Sequence, residues 1–169
     1  MTTTHAAQSL HQEHVLEAHI ADMLVAEQGY EQRDAADFDR QLALDRDLVL
    51  RFVRETQPEA WRALEAHYAG SAEAEFFKRL ERALRERGTL EVLRDGIKLV
   101  PNIQFALCHF RPASSLNRDL MRAWQANILS VMRQVRYSTR NQNAIDLVLF
   151  VNGLPVATLE VKNTLTGQT

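Results

Sequence analysis

The sequence predicts an α+β domain in which a helical first half precedes a mixed β-sheet. Three observations predict it. Apolar residues recur at three- and four-residue steps as far as Gly88, the period of helices buried on one face. Beyond Gly96 the apolar runs shorten and become rich in β-branched and aromatic residues. Near the end, Asn152-Gly153 separates two such runs, a strong hairpin signal. Helices grouped ahead of strands point to an α+β domain, or to an α/β-type core carrying a helical insertion.

An opening helix from Gln8 to Gln28 sets Leu16, Ile20, Met23, Leu24 and Glu27 along one stripe, and Gly29 stands where a glycine ends a helix. Leu44, Leu48, Phe52 and Val53 predict a second helix over Leu42–Glu55. Pro58 suits the first turn of a third, with Thr56 as its cap and Trp61, Leu64 and Tyr68 facing inward. Gly70-Ser71 breaks it. A fourth helix from Ala72 uses Phe76, Phe77, Leu80 and Leu84 and ends at Gly88. Ile97–Val100 and Ile103–Leu107 read as short strands around Pro101-Asn102. Arg111–Ser115 is a loop, and Leu120, Met121 and Trp124 give Leu116–Asn127 a helical period. Period alone does not choose between helix and strand for Ile128–Ser138. Ala144–Phe150 and Val156–Val161 follow as strands. The expected division is one domain over 1–169, with an opening helix (1–30), a helical insertion (31–95) and a β-rich core (96–169).

Apolar content of 46%, charged content of 25% and a net charge of −2 exclude a disordered or membrane-spanning chain by composition. No run approaches the roughly 18 apolar residues of a spanning helix. Met1–Gln8 lacks the apolar segment of a secretory signal, and the single Cys108 makes no internal disulfide, so a cytoplasmic location is expected. Charge is unevenly spread. Residues 1–60 hold twelve acidic residues against five arginines, whereas residues 111–140 hold six arginines against Asp119 alone. Such asymmetry hints at a polyanionic partner on the basic side, beside the plainer reading of solvated faces.

Two charged intrusions in the last strands carry the chemistry. Asp146 interrupts Ala144–Val151, and Glu160 and Lys162 close the run from Pro155. Continuous apolar strands are usually covered on both faces, where an unpaired charge costs several kcal/mol, so carboxylates there are paired or bind a cation. Side chains alternate along a strand, which puts Glu160 and Lys162 on one face. Magnesium takes one or two carboxylates plus waters and substrate phosphate, a set Asp146 and Glu160 can supply. A neighbouring lysine is suited to orienting water or offsetting phosphate charge. An acid, a spacer and a lysine is also a common surface ion pair.

The hairpin register tests this. A plain two-residue turn at Asn152-Gly153 sets Asp146 opposite Leu159 and separates the carboxylates; an odd loop or a bulge at Asn152–Pro155 sets Asp146 opposite Glu160. The latter is expected, since Pro155 lacks a donor for a regular ladder.

Other signals carry less. His11, His14 and His19 do not share one helical face, which favours a solvated surface over a metal cluster. Cys108 and His109 are adjacent, so on a strand they point apart and do not form a thiol–base pair. Trp61 and Trp124 are most simply core aromatics.

Ile145-Asp146-Leu147-Val148-Leu149-Phe150-Val151-Asn152-Gly153-Leu154-Pro155, followed by Leu159-Glu160-Val161-Lys162-Asn163, resembles the nuclease signature of type I restriction enzyme motor (R) subunits, members of the PD-(D/E)xK nuclease group. Looser matches occur upstream in the same order, at Glu17, Ile20, Leu24 and Gly29-Tyr30, at Thr56-Gln57-Pro58, and at Arg133-Gln134 to Tyr137-Ser138. The resemblance implies a magnesium-dependent endonuclease of a bacterial or archaeal type I restriction-modification complex. Asp146, Glu160 and the Val161 backbone carbonyl would bind the metal with Glu17 as a further acidic member, Asp146, Glu160 and Lys162 would be catalytic, and Ile128–Ser138 would be a strand. It implies double-stranded DNA and the modification and specificity subunits as partners, with Arg118, Arg122, Arg133, Arg136 and Arg140 on the DNA side. The family pattern continues into a helix with Gln-x-x-x-Tyr, another strand and an ATP-driven motor. None of these is in this sequence, which has no phosphate-binding Gly-x-x-x-x-Gly-Lys-Ser/Thr loop. The core is therefore expected to stop after its third core strand. A non-catalytic DNA-binding or docking module that keeps the nuclease fold is the alternative.

Overall fold

The computed structural model describes residues 2–114, 116–138 and 140–162, with side chains from Gln12 onward. Expectations that fall on Ser115, Asn163 or the His11 side chain lie outside the described residues.

Helix α1 (Thr2–Gln28) leads through Gly29 into strand β1 (Glu31–Arg33). Strands β2 (Phe38–Asp39) and β3 (Leu44–Asp45) form a small antiparallel ladder ahead of helix α2 (Arg46–Thr56). Helices α3 (Pro58–Tyr68), α4 (Ala72–Arg87) and α5 (Thr89–Asp95) follow. Strands β4 (Ile97–Leu99) and β5 (Ile103–Phe105) form a separate hairpin, and helix α6 (Arg118–Gln125) precedes β6 (Leu129–Arg136), β7 (Ala144–Val151) and β8 (Leu154–Leu159). The main sheet runs β1-β6-β7-β8, with β1 parallel to β6 and the other pairs antiparallel. The fold is α+β with a mixed sheet. No helix of the described residues is long and apolar enough to cross a membrane.

Several local expectations change. Glu31–Arg33 lies in a segment expected to be helical, yet it pairs with Ser130–Met132 as an edge of the main sheet; three polar residues carry no alternation to reveal a strand. The second helix starts at Arg46 rather than Leu42, because Asp45 caps it by accepting from the Leu48 amide at 3.1 Å. Thr56 does not cap α3. Its hydroxyl bonds back to the Phe52 carbonyl at 2.7 Å, while Gln57 grips the Ala106 backbone through both amide atoms. Between Gly88 and Gly96, inside the expected helical insertion but assigned no helix of its own, stands α5. Within Ile128–Ser138 the structure forms strand over Leu129–Arg136, with neighbouring Val131 and Met132 both interior but in different apolar clusters, as alternation along a strand requires.

Two apolar bodies result. The larger lies among α2–α5 and the β4–β5 hairpin, where Trp61, Phe76 and Phe105 meet edge to face at centroid distances of 5.2–6.1 Å. The main sheet is covered more thinly. On one side Ala21, Ile20 and Leu24 of α1 meet Val131, Leu147 and Leu149; on the other Phe38 meets Phe150 and its neighbours.

The Asn152-Gly153 turn joins the two bodies. Both residues have positive φ, 51° and 82°, the requirement of the tight hairpin turn that matches strand twist. Asn152 is fully buried. Its side chain donates to the Leu107 carbonyl and Asn127 Oδ1, each at 2.9 Å, and accepts from the Ile128 amide at 2.7 Å. Gly153 presses on the Asp45 carbonyl and on Val49, so a Cβ there would collide with α2.

The turn is the two-residue form, with Val151 paired to Leu154, and the odd residue sits one step further along. Phe150 pairs with Pro155 but Leu149 pairs with Ala157, leaving Val156 as a bulge. Leu147 therefore pairs with Leu159, and continuing that register by one residue brings Asp146 opposite Glu160.

Candidate active site

Asp146 lies near the start of β7, and Val161, just beyond β8, donates its amide to Asp146 Oδ2 at 2.7 Å. The other Asp146 oxygen accepts from Gln134 Nε2 at 3.2 Å. The same amide nitrogen lies 2.9 Å from both carboxylate oxygens of Glu17. Glu17 comes from α1 and is only 2% exposed, with His14 Nδ1 at 3.4 Å and the Arg133 guanidinium at 3.8 Å. Glu17 and Asp146 thus converge on one amide although they are far apart in sequence.

Why α1 offers a carboxylate to the sheet follows from its face. Leu16 and Met23, expected inside, are largely exposed, as is Glu27; the covered face runs through Glu17, Ile20, Ala21 and Leu24. That face crosses the polar end of β6, so its innermost side chain is charged; an apolar count finds Ile20 and Leu24 but adds Leu16 and Met23 and misses Glu17.

Glu160 is mostly exposed and Lys162 is exposed. Neither is the buried intrusion expected, because β8 is an edge strand among the described residues and Val156–Thr158 face outward. Glu160 nonetheless holds its proton above the ordinary carboxylate range. Partial desolvation is the first cause, followed by the charge of Asp146, a hydrogen bond with Asp146 and the more distant charge of Glu17, while Lys162 pulls the other way. Glu160 is therefore the electrostatic neighbour of both Asp146 and Lys162. Val161 contributes its amide at this point.

The donor set is all oxygen, which suits a hard cation such as magnesium. Among the described residues no three His, Cys, Asp or Glu side chains form a ready metal cage. Magnesium does not need one, since it keeps several waters and takes one or two carboxylates. Glu17 and Asp146 converge on one amide and the charge of Asp146 raises Glu160, a crowding of negative charge that a bound cation would relieve, so the residues present fit such an ion.

The arginines divide. Arg136 pairs across from Ala144, and Arg140 stands in the β6–β7 connection at the same end as Asp146. Arg133 is turned inward, with Nη2 3.3 Å from the His14 carbonyl and Nε buried without a hydrogen-bond partner. Arg118 and Arg122 lie on α6, which feeds the Leu129 end of β6, opposite the acidic end; the structure does not bring them to Asp146.

Two residues escaped sequence reasoning. Gln134 was one polar letter in a strand whose identity period left open, and His14 was set aside as a solvated histidine. A polar pair, Arg133-Gln134, inside the apolar run of β6 was the available signal. Elsewhere, burial pushes the Cys108 thiol up and His109 down, the reverse of an activated thiol–base pair. Trp61 is a core aromatic, whereas Trp124 is only partly covered and stacks under Arg111 at 5.3 Å.

A mixed sheet backed by one helix, with carboxylates gathered at one end of its inner strands, defines an α+β domain with an acidic site. The family described as Type I restriction enzyme R protein N terminus matches residues 11–169, and the chain belongs to it. No curated protein and no solved structure matches the chain. Its role is thereby that of a restriction endonuclease component of type I.

Proposed function

We propose that the chain is the magnesium-dependent endonuclease domain of a type I restriction-modification complex, hydrolysing DNA phosphodiester bonds with Asp146, Glu160 and Lys162. The observation that carries this is the bulge at Val156, which shifts the hairpin register so that Asp146 and Glu160 fall on the same side of adjacent strands. Asp146 and Glu160 would hold the ion, with Glu17 behind them. A divalent ion bound there supplies Lewis acidity toward the phosphate and lowers the pKa of a water. The chain's own residues do the rest. Asp146 is oriented from both of its oxygens, by Gln134 and by the Val161 amide. Glu160, across from Asp146, would complete the pair of oxygen donors, and the proton lost as the water oxygen bonds to phosphorus leaves to solvent. Lys162 places a cation beside the phosphate as the P–O bond to the leaving sugar oxygen breaks. Arg136 and Arg140 would meet duplex backbone without reading sequence, which fits a complex in which a specificity subunit selects the site and a modification subunit accompanies it.

In the full-length subunit assembled with its partners, Asp146→Ala or Lys162→Ala should abolish DNA cleavage while ATP hydrolysis by the motor portion survives. Cleavage at near wild-type rate by either variant would sink the site. A second reading, a non-catalytic DNA-binding or docking module that keeps the fold, draws on the lack of a three-ligand cage among the described residues. It expects both variants to leave the complex's cleavage unchanged.

A further inference from the structure

Gln134 sits where a strand residue cannot normally sit. Arg133 pairs with Leu147 and Val135 with Ile145, so Gln134 lies across from Asp146 within the β6–β7 ladder. Its φ is 53°, in the left-handed region that non-glycine residues seldom occupy and that is sustained only where surroundings over-determine it. The consequence is a break in alternation. Met132 and Val135, three apart, share one apolar cluster, and adjacent Arg133 and Gln134 both reach Glu17 on the opposite side. A regular strand would send those neighbours to opposite faces.

What the distortion delivers is one neutral amide between two acids. Nε2 has two hydrogens and three oxygens in reach, both of Glu17 at 2.9 Å and Asp146 Oδ1 at 3.2 Å. With the Val161 amide on Oδ2, both Asp146 oxygens are held and the plane of the carboxylate is set. A lysine in this place would also tie the acids together, but it would cancel the charge a cation needs. Glutamine ties them and leaves the charge.

We propose that Gln134 is a positioning residue for the acidic pair: its amide sets the orientation of Asp146 against Glu17 and thereby the affinity of the site for a divalent cation. This rests on the metal-dependent reading above. Groups that orient metal ligands from behind change affinity by about ten- to a hundredfold when removed.

Two variants of the chain separate this role from a structural one. Gln134→Gly keeps the left-handed backbone without strain but takes the amide from buried Glu17, so some stability is lost and binding is read on the folded fraction. Manganese titrated into this variant should bind about ten- to a hundredfold more weakly than into wild type. Gln134→Glu adds a fourth carboxylate to Glu17, Asp146 and Glu160. It should melt below wild type in chelator and recover more than wild type does when manganese is added. Asp146→Asn, measured alongside, reports on the site itself. If wild type binds manganese, Asp146→Asn does not, and Gln134→Gly binds as wild type does, the positioning role is overturned while the metal site stands. The role is also overturned if both Gln134 variants shift stability by the same amount with and without manganese. Should wild type show no binding that Asp146→Asn removes, the metal site and the positioning role fall together.

Discussion

Around Phe76 stand the rings of Trp61, Phe77 and Phe105, and the side chain is fully interior. Around Glu17, which is almost as deeply buried, the partners are an imidazole, a guanidinium and an amide from a distorted strand. Both are interior positions of the same fold. The first gains stability from burial without directional demands, whereas the second must satisfy a desolvated charge from specific atoms. The helical layer thus holds the larger apolar core, while the acidic end of the sheet holds strain, crowded carboxylates and only a thin apolar cover. Stability and chemistry are assigned to different regions, and substitutions can pull the two apart.

The largest effect is expected in the helical layer. Phe76→Ala removes a ring that meets Trp61, Phe77 and Phe105, and should destabilise the domain by about 3–5 kcal/mol. Chemical denaturation measures this. Manganese affinity of the fraction that stays folded should match wild type, and a matching loss of affinity would break the division between the regions.

Asp45 sits on the boundary and is the next largest. It is fully buried, caps α2 through the Leu48 amide, and accepts from Arg33 Nε at 2.8 Å, tying β1 to the helical layer. The Arg33 guanidinium is correspondingly held further above its usual pKa, first by the hydrogen bond to Asp45. Asp45→Ala should cost about 2–3 kcal/mol from the lost cap and the lost charged hydrogen bond, even though Arg33 keeps Asp37 and Asp47 within 3.3 and 3.7 Å. A cost below 0.5 kcal/mol would mean the regions are not coupled here.

The same division explains what could be read from sequence. The helical layer was legible because burial of Leu48, Phe52, Trp61, Phe76 and Leu80 leaves a period that counting detects. Strands β7 and β8 and the Asn-Gly turn were legible for similar reasons, and the need for an extra residue in the hairpin followed from alternation, one residue away from where it occurs. Asp146, Glu160 and Lys162 stood out through the resemblance. What stayed hidden depends on geometry between distant segments. Strand β1 exists because Ser130–Met132 offer it a ladder, not because Glu-Gln-Arg favours extended backbone. The inward face of α1 centres on a carboxylate, which hydrophobic periodicity scores as outside. The left-handed φ of Gln134 has no signature in a non-glycine residue.

A smaller effect sharpens the comparison on the surface. Arg136 is exposed at the acidic end, while Arg122 lies on α6 and already faces Asp119 at 3.7 Å. Binding of non-specific duplex to the assembled complex, measured across salt concentrations, should lose about one unit of log–log slope in Arg136→Ala. Arg122→Ala should lose less. Equal losses would extend the DNA path to the other end of the sheet.

The smallest effect is a pH dependence of stability, and its sign is the informative part. Glu160 has a folded-state pKa raised by partial desolvation and by the charge of Asp146. A carboxyl raised in this way contributes stability that is fully present below its unfolded pKa and is lost as pH climbs through the folded value. Without divalent ion, wild type should therefore lose stability relative to Glu160→Gln from the ordinary carboxylate range upward, and above that window the variant should be the more stable protein. Glu160 is mostly exposed, so water screens most of the interaction and the difference in melting temperature is small. Magnesium should reverse the order at neutral pH, because an ion that binds only the folded state stabilises wild type, while the variant has lost a charged ligand. Thermal melts of both proteins across a pH series, in chelator and in magnesium, read this directly. Parallel curves in chelator would show that Asp146 does not crowd Glu160, and the two strand ends would then be an ordinary edge of the sheet, no different in kind from the solvated side of the helical layer.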